Sequence, residues 1–267
     1  MAIAEREEWR SPVFSLRPGE ARVASLEHPR LAMKLDVRAL TFDVFGTVVD
    51  WRSGVAREAE AVLAGKGVAL HWTAFADRWR ARYRPSLDAV RRGERPFAIL
   101  DELQRENLEL LLEEEGIRGL TGAELGRLSQ AWHRLDPWPD VREGLARLKP
   151  HFILATLSNG NAALLVHLAR RAGLPWDAIL GAEVARAYKP SPEAYDRAAA
   201  MLGLEPRECL MVASHPEDLL AARDRGFRTA YVHRPLEYGE GRALPRPREA
   251  FDLAVDGFTE LADDLLP

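Results

Sequence analysis

The chain has 267 residues and a single cysteine, Cys209. One thiol excludes an intramolecular disulfide and any zinc centre built from several thiolates, and it suits a reducing cytoplasm. Long apolar runs are missing too. No stretch approaches the roughly 20 residues needed to cross a bilayer, so no membrane partner is expected. Nor is there a surplus of one charge: 37 Lys and Arg stand against 41 Asp and Glu, a net −4. That balance argues against a nucleic-acid partner held by bulk positive charge. Internal repeats and low-complexity tracts are lacking as well. What is present is an ordinary globular composition, 47% hydrophobic and 29% charged, enough for a core. At roughly 150 residues per domain the length corresponds to about 1.8 domains, one large unit or a core with an insertion.

Residues 1–34 carry Glu, Arg and Pro without period and lack the apolar region of a secretory signal. They are expected to form a loosely ordered extension, with Met33 as a second candidate start. Val37–Phe45 is then β-rich and mostly apolar, ending at Gly46, as a buried parallel strand does. From about Ser53 to Arg134 apolar residues recur at helical spacing, for example Leu100, Leu103, Leu108, Leu111 and Leu112. Pro137 and Pro139 mark a linker. Strands are expected again over Phe152–Leu157, Ile179–Glu183, Cys209–Val212 and Arg228–Val232, alternating with helices over Ala162–Ala172, Pro192–Leu202 and Asp218–Arg225. That alternation predicts an α/β fold: a Rossmann-like parallel-sheet core with an inserted all-helical cap domain. The core takes residues 35–50 and 140–267 and the cap residues 51–139.

Four polar clusters fall at or just beyond expected strand ends: Asp43 to Thr47, Ser158-Asn159, Lys189-Pro190, and Ser214-His215 with Asp218. Strand ends converge on one edge of a parallel sheet, where ligands bind. Together the clusters offer two carboxylates, hydroxyls, an amide and an ammonium. A carboxylate beside a lysine stays ionised and can act as a nucleophile. Each cluster alone has an ordinary reading, as a turn, a helix cap or a solvated lysine. Four in this order and spacing point to a site.

These motifs resemble the haloacid dehalogenase superfamily: Asp43-x-x-x-Thr47, Ser158, Lys189-Pro190, and an acidic strand end at Ser214–Asp218. The resemblance runs from about Val37 to the C-terminus. Superfamily phosphatases use Asp-x-Asp and an acidic fourth motif that binds Mg2+. Here Phe45 stands where the second Asp would be, and Ser214 replaces an acid. A phenyl ring carries no proton, and Asp43 with Asp218 alone makes a poor Mg2+ site. The chain is more similar to the type II branch, the L-2-haloacid dehalogenases. Asp43-Val-Phe-Gly-Thr-Val-Val-Asp50, Ser158-Asn159-Gly160, Tyr188-Lys189-Pro190 with Tyr195, and Trp79-Arg80 all resemble that branch.

The resemblance implies that Asp43 displaces halide from a short 2-haloacid, forming an ester that water hydrolyses to a 2-hydroxy acid. Thr47 would orient Asp43 and Lys189 keep it anionic. Arg80 and Asn159 would stabilise the halide. Ser158 and the backbone of Val44 and Phe45 would hold the substrate carboxylate, with Ser214 beside them. Phe45 and Phe97 would exclude bulk water, and Tyr195 would line the pocket. Asp218 is the candidate base for the water, with His215 beside it. The branch pattern has Asn at 215, so the role of His215 stays open. No cofactor or metal is expected; the partner is a small anionic substrate, and the resemblance implies a homodimer. Two alternatives remain: a Mg2+-dependent phosphatase of this superfamily, and a non-catalytic binding protein on the same scaffold.

Overall fold

The computed structural model describes residues 35–68 and 70–266; the expected extension over residues 1–34 lies outside the described residues. Strand β1 (Ala39–Phe42) is buried along its whole length, as a strand covered by helices on both faces must be. On one side it pairs in parallel with β4 (Ile153–Leu157), and on the other with β6 (Cys209–Ala213), so that Leu40 lies opposite Leu154 and Leu210. Beyond them lie β5 (Ala178–Leu180), β7 (Arg228–Val232) and β8 (Leu253–Val255), giving a six-stranded sheet in the order β5-β4-β1-β6-β7-β8. All its pairings are parallel. The chain winds one way from β1 through β4 to β5, then returns to β6 and winds the other way. The β1–β6 crevice is therefore the switch point where α/β folds place ligands.

The helical excursion leaves and rejoins the sheet through a two-stranded ribbon. β2 (Val49–Asp50) pairs antiparallel with β3 (Asp136–Pro137). The expected linker around Pro137 and Pro139 is thus partly paired, and Trp138 ties it to the β1 loop through N–H bonds to the carbonyls of Val48 and Gly46. Between the ribbon strands run α1 (Trp51–Leu63), α2 (Trp72–Ala81), α3 (Tyr83–Arg91), α4 (Leu100–Glu114) and α5 (Gly122–Ser129). Asp50 caps α1 by accepting from Ser53 N–H at 3.0 Å, which satisfies one of the helix's free donors. Trp51, Trp79 and Trp132 are fully buried together, Trp132 stacking on Trp51 at 6.1 Å and meeting Trp79 edge-on at 5.6 Å. Three buried indoles join the excursion's first and last segments.

The remaining helices cover the sheet: α6 (Val141–Leu148), α7 (Ala162–Ala172), α8 (Pro192–Met201), α9 (Pro216–Asp224) and α10 (Phe258–Leu265). The strand expected over Ile179–Glu183 is shorter. It ends at Leu180, and Ala182–Val184 turns into a 3-10 segment. Gly181 is the reason: a Cβ there would sit 2.4 Å from the Gly160 carbonyl oxygen, so the chain packs backbone to backbone and turns. The helix expected from Asp218 starts earlier, at Pro216, whose fixed φ suits the first helical position.

Candidate active site

The backbone N–H of Asp43 donates to the Val212 carbonyl at 3.0 Å, so β1 delivers its carboxylate to the carboxyl edge of the sheet. The chain then folds back. Val48 and Val49 N–H both donate to the Val44 carbonyl, and Gly46 takes a φ of 90°, a left-handed conformation that glycine adopts without a steric cost. The turn brings Thr47 Oγ1 to donate to Asp43 Oδ2 at 2.8 Å. From the end of β6, Ser214 N–H donates to Thr47 Oγ1 at 2.9 Å, and the two hydroxyls lie 3.1 Å apart.

Two further groups contact Asp43, Lys189 and His215, and each carries partners of its own. Lys189 Nζ donates to Asp43 Oδ1 at 3.0 Å and also to Asp218 Oδ2. Tyr195 donates its hydroxyl to Asp218 Oδ1 at 2.6 Å. His215 Nδ1 lies 3.1 Å from Asp43 Oδ2, and its Nε2 lies 3.1 and 3.2 Å from the two oxygens of Glu237. Burial alone would push the Asp43 carboxyl up; the adjacent Lys189, His215 and Thr47 outweigh it and hold the group well below the usual carboxylate range. Burial works against the charged form of Lys189 as well, but Asp218 and Asp43 keep it protonated beyond the ordinary lysine range. Asp218 is shifted upward, chiefly by burial, against the pull of Lys189. His215 is raised well above a free imidazole because Glu237 and Asp43 overcome its desolvation. The resting site is therefore a chain of paired charges, with Asp43 anionic.

Asp43 opens onto a cavity of about 380 Å³ between the sheet edge and helices α2 and α3. Arg80 comes from the helical side, its guanidinium 4.0 Å from the Tyr83 ring centroid and 5.5 Å from that of Trp51. Its Nη1 is buried and has no hydrogen-bond partner among the described residues. Asn159 accepts from Lys189 N–H at 2.7 Å and donates its side-chain N–H to the Tyr83 hydroxyl at 3.0 Å. Tyr83 thus brings Asn159 and Arg80 together. At the rim, Arg84 of α3 pairs with Glu217 of α9 at 3.3 Å.

Of the residues singled out from the sequence, Asp43, Phe45, Arg80, Asn159, Lys189, Tyr195, His215 and Asp218 line this cavity. Thr47, Ser214, Val44 and Ser158 are buried off its wall. Ser158 Oγ accepts from Gly160 N–H at 3.1 Å, bracing its own turn. Phe97 is not on the wall. It packs against Tyr188, ring centroids 5.5 Å apart and planes tilted by 31°, with Arg186 over its face, and Tyr188 in turn donates to the Ala98 carbonyl at 2.6 Å. That packing holds Phe97 off the cavity wall, on which Phe45, Trp51 and Tyr83 are the nearby aromatic side chains. Glu237 is not legible in the sequence: it lies five residues beyond the end of β7, in a turn, and belongs to no spaced motif.

The sequence model of the haloacid dehalogenase-like hydrolases matches residues 37–226. An (S)-2-haloacid dehalogenase of Xanthobacter autotrophicus is 33% identical over 212 residues, 78% of this chain and 79% of that one. Among solved structures, a defluorinating L-2-haloacid dehalogenase is 46% identical with a TM-score of 0.84, covering 86% of this chain and 95% of its own. The Xanthobacter autotrophicus L-2-haloacid dehalogenase with chloropropionic acid covalently bound is 27% identical with a TM-score of 0.72, covering 85% and 97%.

Proposed function

The chain belongs to the haloacid dehalogenase-like hydrolases, and from that premise we propose that it hydrolyses short 2-haloalkanoic acids to 2-hydroxy acids through an ester on Asp43. One observation carries this reading. Asp43 is held anionic at the sheet's switch point by Lys189, Thr47 and His215, while position 45 holds a phenyl ring and no acid. A buried carboxylate with no proton carrier two residues on is suited to displacement at carbon, where the leaving halide needs no proton. The Asp43 oxygens are unequally loaded: Oδ2 takes two side-chain donors and Oδ1 one. Oδ1 is therefore the better nucleophile.

In the first step Oδ1 bonds to C2 of the substrate in line, the carbon–halogen bond breaks, and C2 inverts. Arg80, whose Nη1 has no partner among the described residues, and Asn159 receive the developing halide charge. Val44, Phe45, Ser158 and Ser214 shape the turns that hold the substrate carboxylate. In the second step water attacks Cγ of Asp43 and the hydroxy acid leaves with the former Oδ1. Two groups flank Asp43 for that step, Asp218 across Lys189 and His215 in direct contact. Family membership also supports a homodimer, and the lone, buried Cys209 supports a reducing cytoplasm. No helix among the described residues is long and apolar enough to cross a membrane.

A Mg2+-dependent phosphatase is the weaker reading. Octahedral Mg2+ needs oxygen ligands, yet Ser214 stands in place of an acid with its hydroxyl at Thr47, and the Lys189 ammonium lies between Asp43 and Asp218. These residues do not fit the ion. The deciding assay measures halide release from chloroacetate and from both enantiomers of 2-chloropropionate, with and without EDTA, beside phosphate release from an aryl phosphate with Mg2+. Halide release that EDTA leaves unchanged, faster for the (S) isomer, is expected. Phosphate release alone, dependent on Mg2+, would sink the reading.

A further inference from the structure

Glu237 has no place in the steps above, yet it is fully buried and charged. A buried carboxylate costs several kcal/mol unless it is paired and hydrogen-bonded. Glu237 is both. Trp51 Nε1–H donates to it at 3.0 Å, and both its oxygens face His215 Nε2. The fold makes room for it: a Cβ at position 46 would lie 2.3 Å from Glu237 Oε1, so only glycine at 46 admits the carboxylate. The fold also fastens it. Glu237 N–H donates to the Arg234 carbonyl, and Arg234 donates to the Thr47 carbonyl at 3.0 Å from a bidentate pair with Asp140. Asp43, His215 and Glu237 thus form a line of carboxylate, imidazole and carboxylate on one rigid support.

We propose that Glu237 is a positioning residue that makes His215, rather than Asp218, the base for hydrolysis of the Asp43 ester, and that alkylation of Asp43 frees His215 for the task. This deepens the dehalogenase reading and rests on it. In the resting enzyme two carboxylates flank the imidazole, which stays protonated and donates to both. Tyr231 and Tyr238 stand near it, and Lys189 and Arg80 lie beyond the two carboxylates. Ester formation turns Asp43 neutral and releases halide. One of the two anions holding the imidazole cationic is then gone, and His215 gives its Nδ1 proton to solvent. Its remaining Nε2–H stays on Glu237, which fixes the tautomer with a free Nδ1 lone pair beside the ester. Water then adds to Cγ. One of its protons goes to Nδ1 and the other to the leaving alkoxide. The Cγ–Oδ1 bond breaks, and the hydroxy acid, anionic Asp43 and protonated His215 are restored together. Asp218 is worse placed for this, since Lys189 and Tyr195 occupy both its oxygens.

The test is rapid-quench kinetics of the full-length wild type and Glu237→Gln with excess (S)-2-chloropropionate, following halide and the intact mass of the protein. The glutamine keeps an acceptor for Trp51 but can donate to Nε2, which puts the proton on Nδ1 and removes the base. About one halide per site should leave in a burst as in the wild type. Turnover should then fall on the order of 100-fold, with a lactyl ester accumulating on Asp43, and Glu237→Asp should recover part of the rate. A merely structural Glu237 would slow both steps alike. The inference is overturned if Glu237→Gln hydrolyses the ester at the wild-type rate, or if its burst disappears along with its turnover. A wild type that releases no halide overturns the dehalogenase reading itself, and this inference with it.

Discussion

On the core side of the cavity the charged groups around Asp43 are matched to partners; on the helical side a buried guanidinium nitrogen has none among the described residues. Lys189 binds two carboxylates, Asp218 binds Lys189 and Tyr195, and His215 bridges Asp43 and Glu237. Arg80 is held by ring faces, which attract a cation without using its N–H donors. The contrast assigns two kinds of work. The core wall is organised before substrate arrives and carries the nucleophile. The helical wall keeps a donor in reserve for charge that exists only once substrate is bound and reacting.

The largest effect that would sharpen this contrast belongs to Asp43→Asn. The amide keeps the shape of the side chain but cannot form the ester, so halide release should fall at least on the order of 10,000-fold, while the fold holds. Measurable turnover near the wild-type rate would break the contrast, because the core wall would not then hold the nucleophile. Next comes Arg80→Gln, which removes the reserve donor. Loss of one donor aimed at developing charge costs about 100- to 1,000-fold in kcat. Arg80→Lys should recover little, since an ammonium lacks the planar fork that spans Tyr83 and Trp51. If halide release by Arg80→Gln were within a few-fold of wild type, the helical wall would be only a cover.

The division also explains what could be read before the structure. The core wall was legible because its groups sit at strand ends: Asp43, Ser158-Asn159 and the Ser214–Asp218 run each follow a short apolar stretch, and a parallel sheet brings such ends together whatever lies between. Arg80 was legible only through its Trp79-Arg80 resemblance, since three other arginines share its stretch. Phe97 illustrates the limit. An aromatic on a cap loop can face the cavity or pack one layer out, and its ring partner Tyr188 decides it from 91 residues away in sequence. Glu237 lies in a turn with no periodicity, and its meaning depends on Gly46 leaving space for it, a relation no local pattern encodes. β2 and β3, two residues each, are too short for alternation to register, and β8 (Leu253–Val255) is scarcely longer.

The smallest effect concerns what keeps the core wall rigid. Asp140 accepts from both terminal nitrogens of Arg234 and from Phe258 N–H at 2.7 Å, while Arg234 Nε holds the Thr47 carbonyl. Burial would raise the Asp140 carboxyl, but Arg234 and the backbone bonds outweigh it and hold the group below its ordinary value. Its folded pKa is thus lower than its unfolded one, about 3.9. The stability it contributes is complete above that unfolded value and is lost as pH falls through the folded value. Asp140→Asn keeps the shape but gives up the charge, and hydrogen bonds to charged groups contribute roughly 1.5 to 3 kcal/mol. Chemical denaturation near pH 7 should therefore show a loss of roughly 2 kcal/mol, shrinking as wild type and variant are both taken towards pH 3. Halide release at saturating substrate should change only a few-fold, because the Thr47 hydroxyl keeps its hydrogen bonds to Asp43 and Ser214. A much larger loss of activity in a stably folded Asp140→Asn would mean that the positions of Thr47 and Glu237 depend on this clamp during turnover, and that the core wall is less fixed than its hydrogen bonds imply.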